Sequence, residues 1–122
     1  MVNQRDLLHH KATQVYQERF RRGGYFVTAS VVLLEVGNWL SPVPSRRLAT
    51  EWLDRIERSA RVEIVHITEA LNEKGWVLYR GRLDKDWGVI DCISFVLMQE
   101  RGITEALTGD HHFEQAGFIK LL

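Results

Sequence analysis

Three acidic side chains are the clearest candidates for chemistry in this sequence, because of their places beside apolar segments. Glu35 lies inside the run SVVLLEVGNWL, Asp91 begins the run DCISFVLM, and Asp110 follows the apolar segment ITEAL. A carboxylate among apolar neighbours is rarely buried without a partner or a metal ion. The three side chains offer oxygen ligands and no sulfur, and hard oxygen ligands suit Mg²⁺ or Mn²⁺.

Clustered carboxylates repel one another unless a cation offsets their charge. A bound Mg²⁺ ion can turn water into a nucleophile at neutral pH and can stabilise the charge that builds on a phosphate under attack. Hydrolysis of a phosphodiester bond is therefore the chemistry that these residues suggest. The alternatives are a helix cap for Asp91 and an ordinary loop acid for Asp110, so the hypothesis depends on the three lying together.

The elements that must position these carboxylates are helices that alternate with short apolar strands. Periodicity, caps and chain breaks predict helices at 7–22, 30–40, 46–61, 68–80 and 91–101, with Asp6, Ser30 and Gly102 as caps. Strands are predicted at 25–28, 62–67, 103–108 and 118–122, and the helix at 30–40 is expected to be buried. This alternation predicts a three-layer α/β/α fold with a mostly parallel sheet. Because functional groups gather at the carboxyl ends of such strands, we expect the three carboxylates to converge there.

Length and composition limit the classes of protein to consider. A chain of 122 residues with 45% hydrophobic content suits a single domain, spanning 1–122. Sixteen basic and sixteen acidic residues balance, so nucleic acid would need a local patch, for which Arg80, Arg82 and Lys85 are candidates. The only cysteine, Cys92, excludes an internal disulfide and is interpreted as inert packing. No apolar run suits a membrane span or a signal peptide, so we expect a cytoplasmic protein.

Two histidines and two further acids lie near the candidate ligands. His111 and His112 follow Asp110 directly, which raises the question of zinc. The chain lacks the paired ligand spacing of known zinc sites, so hydrogen bonding within the loop is the favoured interpretation. Asp84 and Asp86, in the polar loop before Asp91, are interpreted as solvated surface acids.

Three segments of the chain resemble the PIN domain, a small α/β nuclease fold that includes the VapC-like toxins of bacterial toxin–antitoxin systems. These segments are TASVVLLEVGN, DKDWGVIDCISFVLMQERGI and ALTGDHHFEQAGFIKLL. The resemblance implies that Glu35, Asp91 and Asp110 are metal ligands and catalytic residues of a Mg²⁺-dependent endoribonuclease, with Mn²⁺ as an alternative ion. It also implies RNA as the substrate and a small antitoxin protein as a partner, and it leaves a homodimer open.

The start of the chain departs from the family pattern. Members of the family open with an apolar strand that ends in an aspartate, a central metal ligand, and the segment MVNQRDLLHHKA contains no such strand. We expect Met1 to be an internal residue of a longer natural chain. The sheet should then lack its first central strand and form two pairs with unpaired inner edges, which favours swapping or aggregation.

Two other functions compete with a ribonuclease. The first is a non-catalytic PIN-like binding module, or a degenerate fragment, that has lost its first metal ligand. The second is a phospho-acceptor receiver domain, which is disfavoured because the chain shows neither an early acidic pair nor a lysine at a strand end.

Overall fold

The computed structural model describes the backbone of residues 4–122 and the side chains from His10 onward. The helices are α1 (Gln4–Arg21), α2 (Ser30–Trp39), α3 (Val43–Arg58), α4 (Glu69–Gly81), α5 (Val89–Arg101) and α6 (His111–Gln115). The strands are β1 (Phe26–Ala29), β2 (Val62–Val65), β3 (Glu105–Ala106) and β4 (Ile119–Lys120). The expectation about Met1 and a preceding strand lies outside the described residues. None of the described helices is long and apolar enough to cross a membrane.

The strands form two parallel pairs. In the first pair, Phe26 of β1 lies opposite Val62 of β2. In the second pair, Glu105 of β3 lies opposite Ile119 of β4. No backbone ladder joins the two pairs within residues 4–122. The predictions of an α/β fold, of parallel pairing and of two separate pairs are therefore confirmed. The last two strands are shorter than predicted, although three further backbone hydrogen bonds continue their pairing: Ile119 to Thr104, Leu121 to Ala106 and Leu122 to Thr108.

Helix α5 supplies most of the buried core. Its buried residues are Cys92, Ile93, Phe95, Leu97 and Met98. One cluster joins this helix to Ala29 of β1 and Leu71 of α4. A second cluster surrounds Phe95, whose ring centroid lies 5.0 Å from that of Trp87 and 4.9 Å from that of Phe113. Because apolar burial is the main favourable term in folding, the position of α5 is the most strongly fixed in the domain.

Helices α4 and α5 pack side by side and run in opposite directions. Lys74 forms an ion pair of 2.6 Å with Glu100, near the end of α5. Leu78, one turn later in α4, packs against the cluster that contains Cys92, near the start of α5. The last turn of α4 and the loop after it therefore lie at the same end as Asp91.

Two of the predicted caps are wrong, and one is confirmed. Helix α1 begins at Gln4, so Asp6 lies within it and not before it. Helix α2 has Ala29 as its N-cap, and the Ser30 hydroxyl instead accepts a hydrogen bond of 3.0 Å from the Ile67 backbone N–H, which ties α2 to the segment after β2. Gly102 ends α5 in the left-handed conformation with φ of 65°, as predicted.

Helix α2 is not buried, although its sequence is apolar almost all round. It contains no fully buried residue, and Leu34 and Trp39 are 69% and 74% exposed. The reason is that only the face with Val31 and Val32 packs on the core. Helix α3 starts at Val43, three residues before the predicted start, because proline is tolerated in the first turn of a helix.

Replacing Gly75 with alanine tests the contact between α4 and α5. Gly75 is buried, and an added Cβ would lie 2.4 Å from Cγ1 of the core residue Ile93. We expect this overpacking to lower the free energy of unfolding by about 1–3 kcal/mol, in spite of the better helix propensity of alanine.

Gly81→Ala is the matched control, because Gly81 lies in the same helix and has open space where its Cβ would be. This variant should be neutral or more stable than the wild type by up to about 1 kcal/mol. Urea unfolding followed by circular dichroism measures both variants. Equal stability of the two would contradict the close packing of α4 on α5.

Candidate active site

Asp91 lies in the first turn of α5, and its side chain caps that helix. The Gly88 backbone N–H donates a hydrogen bond of 3.2 Å to Asp91 Oδ2. The Asp91 side chain is only 27% exposed. The helix dipole favours a negative charge at this position. The hydrogen bond from Gly88 fixes the orientation of the carboxylate. The capping role that was the alternative for Asp91 is therefore present, and it leaves the second carboxylate oxygen without a protein donor among the described residues.

Asp110 begins a short helix in a segment where a loop was predicted. It is the N-cap of α6, and its Oδ1 accepts a hydrogen bond of 2.9 Å from the His112 backbone N–H. The sequence carried a signal for this helix that was missed. Phe113 follows Asp110 at helical spacing, and Gly117 comes just after the last turn, where it adopts a φ of 94°. Asp110 is therefore fixed in place by secondary structure and is not an ordinary loop acid.

The imidazole of His112 lies between the two carboxylates. His112 Nδ1 is 3.0 Å from Asp110 Oδ1 and 3.7 Å from Asp91 Oδ2. The Nδ1 atom is buried and has no hydrogen-bond partner among the described residues, because its geometry toward Asp110 does not suit a hydrogen bond. The interpretation of His112 as a loop hydrogen-bonding group is correct for its backbone N–H, whereas Nδ1 of its ring forms no hydrogen bond with the described residues. Residue types alone did not reveal the position of the ring, since it requires α6 to turn the ring inward.

Asp91 and Asp110 lie close enough for their charges to interact. Burial raises the pKa of Asp91, and the negative charge of Asp110 raises it further, whereas the Gly88 N–H and His112 act in the opposite direction. The ionised form of Asp91 is therefore held at a cost that a nearby cation would remove. Burial, with a smaller effect of Asp91, also raises the pKa of the Cys92 thiol, which agrees with its interpretation as inert packing.

Glu35 lies in the second turn of α2, which begins directly at the carboxyl end of β1. Its side chain is half-buried, and it forms no hydrogen bond or ion pair with the side chains that the structure describes. The described contacts thus bring Asp91 and Asp110 together with His112, and the convergence of Glu35 on them stays a prediction.

The loop before α5 is held by its own ion pairs. Asp84 contacts Arg82 at 3.1 Å and Lys85 at 3.6 Å, and the hydrogen bonds from Arg82 lower the pKa of Asp84 to about 2. Asp84 is 62% exposed and Asp86 is also exposed. Both residues fit the interpretation of solvated loop acids. The Arg82 guanidinium lies 4.9 Å from the ring centroid of Trp87, so it also covers the core beside Asp91.

The donor atoms at this site fit a divalent cation. One ligand atom each from Asp110, His111 and His112 lie within 4.8 Å of one another, and Asp91 adds a further carboxylate next to His112. An unpartnered buried ring nitrogen beside a carboxylate oxygen is unfavourable in an empty site and favourable when both atoms bind the same cation. The chemistry of this donor set therefore suits a divalent metal ion.

Comparison with known proteins agrees with this fold. Residues 5–119 match the family model of the PIN domain. The chain is 30% identical over 66 residues to the 23S rRNA-specific endonuclease VapC20 of two Mycobacterium tuberculosis strains, CDC 1551 / Oshkosh and ATCC 25618 / H37Rv. That alignment covers 54% of this chain and 50% of the relative, so it spans about half the length of these curated proteins.

A solved structure resembles the chain over a greater length. The crystal structure of Mycobacterium tuberculosis VapC20, described as a Sarcin-Ricin loop cleaving toxin, superposes with a TM-score of 0.83 at 26% sequence identity. The superposition covers 97% of this chain and 88% of that chain. With the family model matching from residue 5 to residue 119, the chain belongs to the PIN-domain family.

Proposed function

We propose that this chain is an endoribonuclease that hydrolyses RNA phosphodiester bonds with a divalent metal ion held by Asp91, Asp110 and Glu35. The observation that carries the proposal is the shared site of Asp91 and Asp110, in which His112 contacts both carboxylates. The relative VapC20 supports the reaction class, since it is a 23S rRNA-specific endonuclease whose crystal structure is described as that of a Sarcin-Ricin loop cleaving toxin.

Asp91 and Asp110 would bind the ion, and backbone N–H groups would fix the orientation of these two carboxylates. A bound Mg²⁺ or Mn²⁺ supplies a Lewis acid for the phosphate and lowers the pKa of water. Asp91 keeps a fixed orientation because the Gly88 N–H holds one of its oxygens, and Asp110 because the His112 N–H does the same. The orientation of each carboxylate is therefore largely set before the ion and the RNA bind, which is an advantage for catalysis.

Arg80 is our proposed contact for the RNA backbone. It lies in the last turn of α4, at the end of the α4 and α5 pair where Asp91 is located. Its guanidinium lies 5.9 Å from the ring centroid of Trp76, and it forms no ion pair within the described part of the chain. Arg82 and Lys85 are less available for a contact with an RNA phosphate, because both form ion pairs with Asp84. A guanidinium without an ion pair among the described residues, at this end of the helix pair, suits a phosphate.

We further propose that the protein is the toxin of a toxin–antitoxin pair, with a small antitoxin as its partner. The solved relative is described as a toxin. A protein partner is also consistent with the surface of α2 and α3, where Trp39, Val43 and Leu48 are 74%, 85% and 68% exposed. Large exposed apolar side chains on neighbouring helices are typical of surfaces that another protein covers.

Neutralising either candidate ligand tests the proposed chemistry. Asp91→Asn and Asp110→Asn keep the shape of the side chain and its capping hydrogen bond but remove the ligand charge. We expect RNA cleavage in Mg²⁺ or Mn²⁺ to fall at least about 100-fold in each variant, with an unchanged circular dichroism spectrum. Chelation of the metal with EDTA should abolish cleavage by the wild type.

Asp86→Asn is the control for loss of charge in the same region, because Asp86 is exposed and forms no ion pair within the described residues. It should cleave RNA at the wild-type rate. Full activity of both ligand variants would refute the assignment of the site. A folded wild-type protein that cleaves no RNA in either metal would favour the non-catalytic binding module instead.

Removing the guanidinium of Arg80 tests the RNA contact. Arg80→Ala in the Asp91→Asn background should weaken RNA binding to a similar extent for all sequences and should reduce the slope of log K against log salt by about one. Fluorescence anisotropy with a labelled RNA over a salt series measures both quantities. Arg55→Ala, on α3, is the matched control and should leave the slope unchanged. Equal slopes for the two variants would show that Arg80 makes no phosphate contact.

A further inference from the structure

We propose that His112 is itself a ligand of the divalent ion, through Nδ1, and that the site therefore prefers a first-row transition metal ion such as Mn²⁺ to Mg²⁺. This inference rests on the proposed metal-dependent function and adds to it a nitrogen ligand that the acidic residues do not supply. The carboxylates are the same, but the ligand set then contains an imidazole nitrogen as well as oxygen atoms.

The spacing of the donor atoms fits a shared ion. Adjacent ligands of an octahedral ion with bonds of about 2.1 Å are about 3 Å apart, and opposite ligands about 4.2 Å. His112 Nδ1 and Asp110 Oδ1 are 3.0 Å apart, the separation of adjacent ligands. The distance of 3.7 Å from Nδ1 to Asp91 Oδ2 lies between the two values, so a small rotation of the Asp91 side chain would complete the set.

The orientation of the ring argues against an ordinary ion pair between His112 and Asp110. At a separation of 3.0 Å a ring N–H aimed at the carboxylate would form a hydrogen bond. Nδ1 instead has no hydrogen-bond partner among the described residues, and it is shielded from solvent. A neutral ring with its proton on Nε2 would leave the unshared pair of Nδ1 available to a cation beside Asp110.

His111 offers an internal comparison. Its side chain is 70% exposed, and its Nδ1 lies 3.8 Å from Asp110 Oδ1. The His112 side chain is only 20% exposed and contacts both carboxylates. The two rings lie with centroids 4.3 Å apart and differ in burial and in their contacts with the carboxylates. His111 is therefore the alternative imidazole ligand of this cluster, and its variant distinguishes a role of His112 from a role of either ring.

A nitrogen ligand changes which ions the site favours. Mg²⁺ prefers oxygen ligands and retains its water, whereas imidazole is a good ligand for first-row transition metal ions. A site of two carboxylates and one imidazole should thus discriminate against Mg²⁺ more strongly than a site of carboxylates alone.

Electron paramagnetic resonance with Mn²⁺ tests the inference on the purified 122-residue protein without RNA. Titration of the free Mn²⁺ signal gives the affinity, and electron spin echo modulation detects a coordinated ¹⁴N nucleus. We expect ¹⁴N modulation in the wild type and in His111→Leu, and its loss in His112→Leu together with a fall in Mn²⁺ affinity of about 10- to 100-fold.

His112→Asn provides a second variant, because its amide oxygen lies near the position of Nδ1 and keeps a neutral ligand in place. It should lose the ¹⁴N modulation but bind Mn²⁺ more tightly than His112→Leu. Mg²⁺ should displace Mn²⁺ from His112→Asn at a lower excess than from the wild type. Tight Mn²⁺ binding by the wild type without ¹⁴N modulation, or equal modulation in His112→Leu, would overturn the role of His112.

These results are separate from the test of the proposed function. Loss of the His112 role with retained metal-dependent cleavage would leave a ribonuclease with an all-oxygen site. A protein that shows nitrogen-coordinated Mn²⁺ but cleaves no RNA would retain the His112 ligand and refute the proposed function alone.

Discussion

The packing of α5 is the constraint on which the rest of this structure depends. Its apolar face reaches β1 and α4 through Ile93, and reaches α6 through the contact of Phe95 with Phe113. Gly75 allows α4 to approach so closely that a single added carbon would meet Ile93. Because α5 begins two residues before Asp91, the interactions that bury this helix also determine where the candidate ligand lies.

The two strand pairs are held together mainly through this helix. No described ladder joins them, and two bidentate ion pairs bridge distant elements: Arg101 with Glu63, and Arg19 with Glu105. These pairs lower the pKa of Glu63 and raise the pKa of Arg19 and Arg101. Exposed ion pairs typically contribute about 0–1 kcal/mol, whereas full burial of a side chain such as Phe95 contributes about 1.5–3 kcal/mol. The apolar contacts of α5 therefore outweigh the ion pairs.

The half-buried carboxylate of Asp91, in the candidate site, lowers the stability of the folded protein at neutral pH. The folded state raises the pKa of Asp91, so it binds that proton more tightly than the unfolded chain does. The contribution of Asp91 to stability is therefore greatest at pH values below its unfolded pKa of about 3.9, and it is lost as the pH rises through the folded pKa. At neutral pH the site holds the ionised Asp91 carboxylate, which its burial disfavours. A cation bound beside Asp91 would offset this cost.

The sequence by itself determined the class of fold, the alternation of helices with parallel strands and the acidic residues at the ends of apolar segments, because periodicity and burial of apolar side chains are local patterns. It did not determine that α2 exposes Leu34 and Trp39, since the number of faces that a helix buries depends on its neighbours. Only the tertiary structure decided the position of the His112 ring. A five-residue helix, too short to show a period, turns that ring toward two carboxylates that lie 21 and 2 positions before it in the chain. The contact across the longer separation is made by folding and not by local sequence.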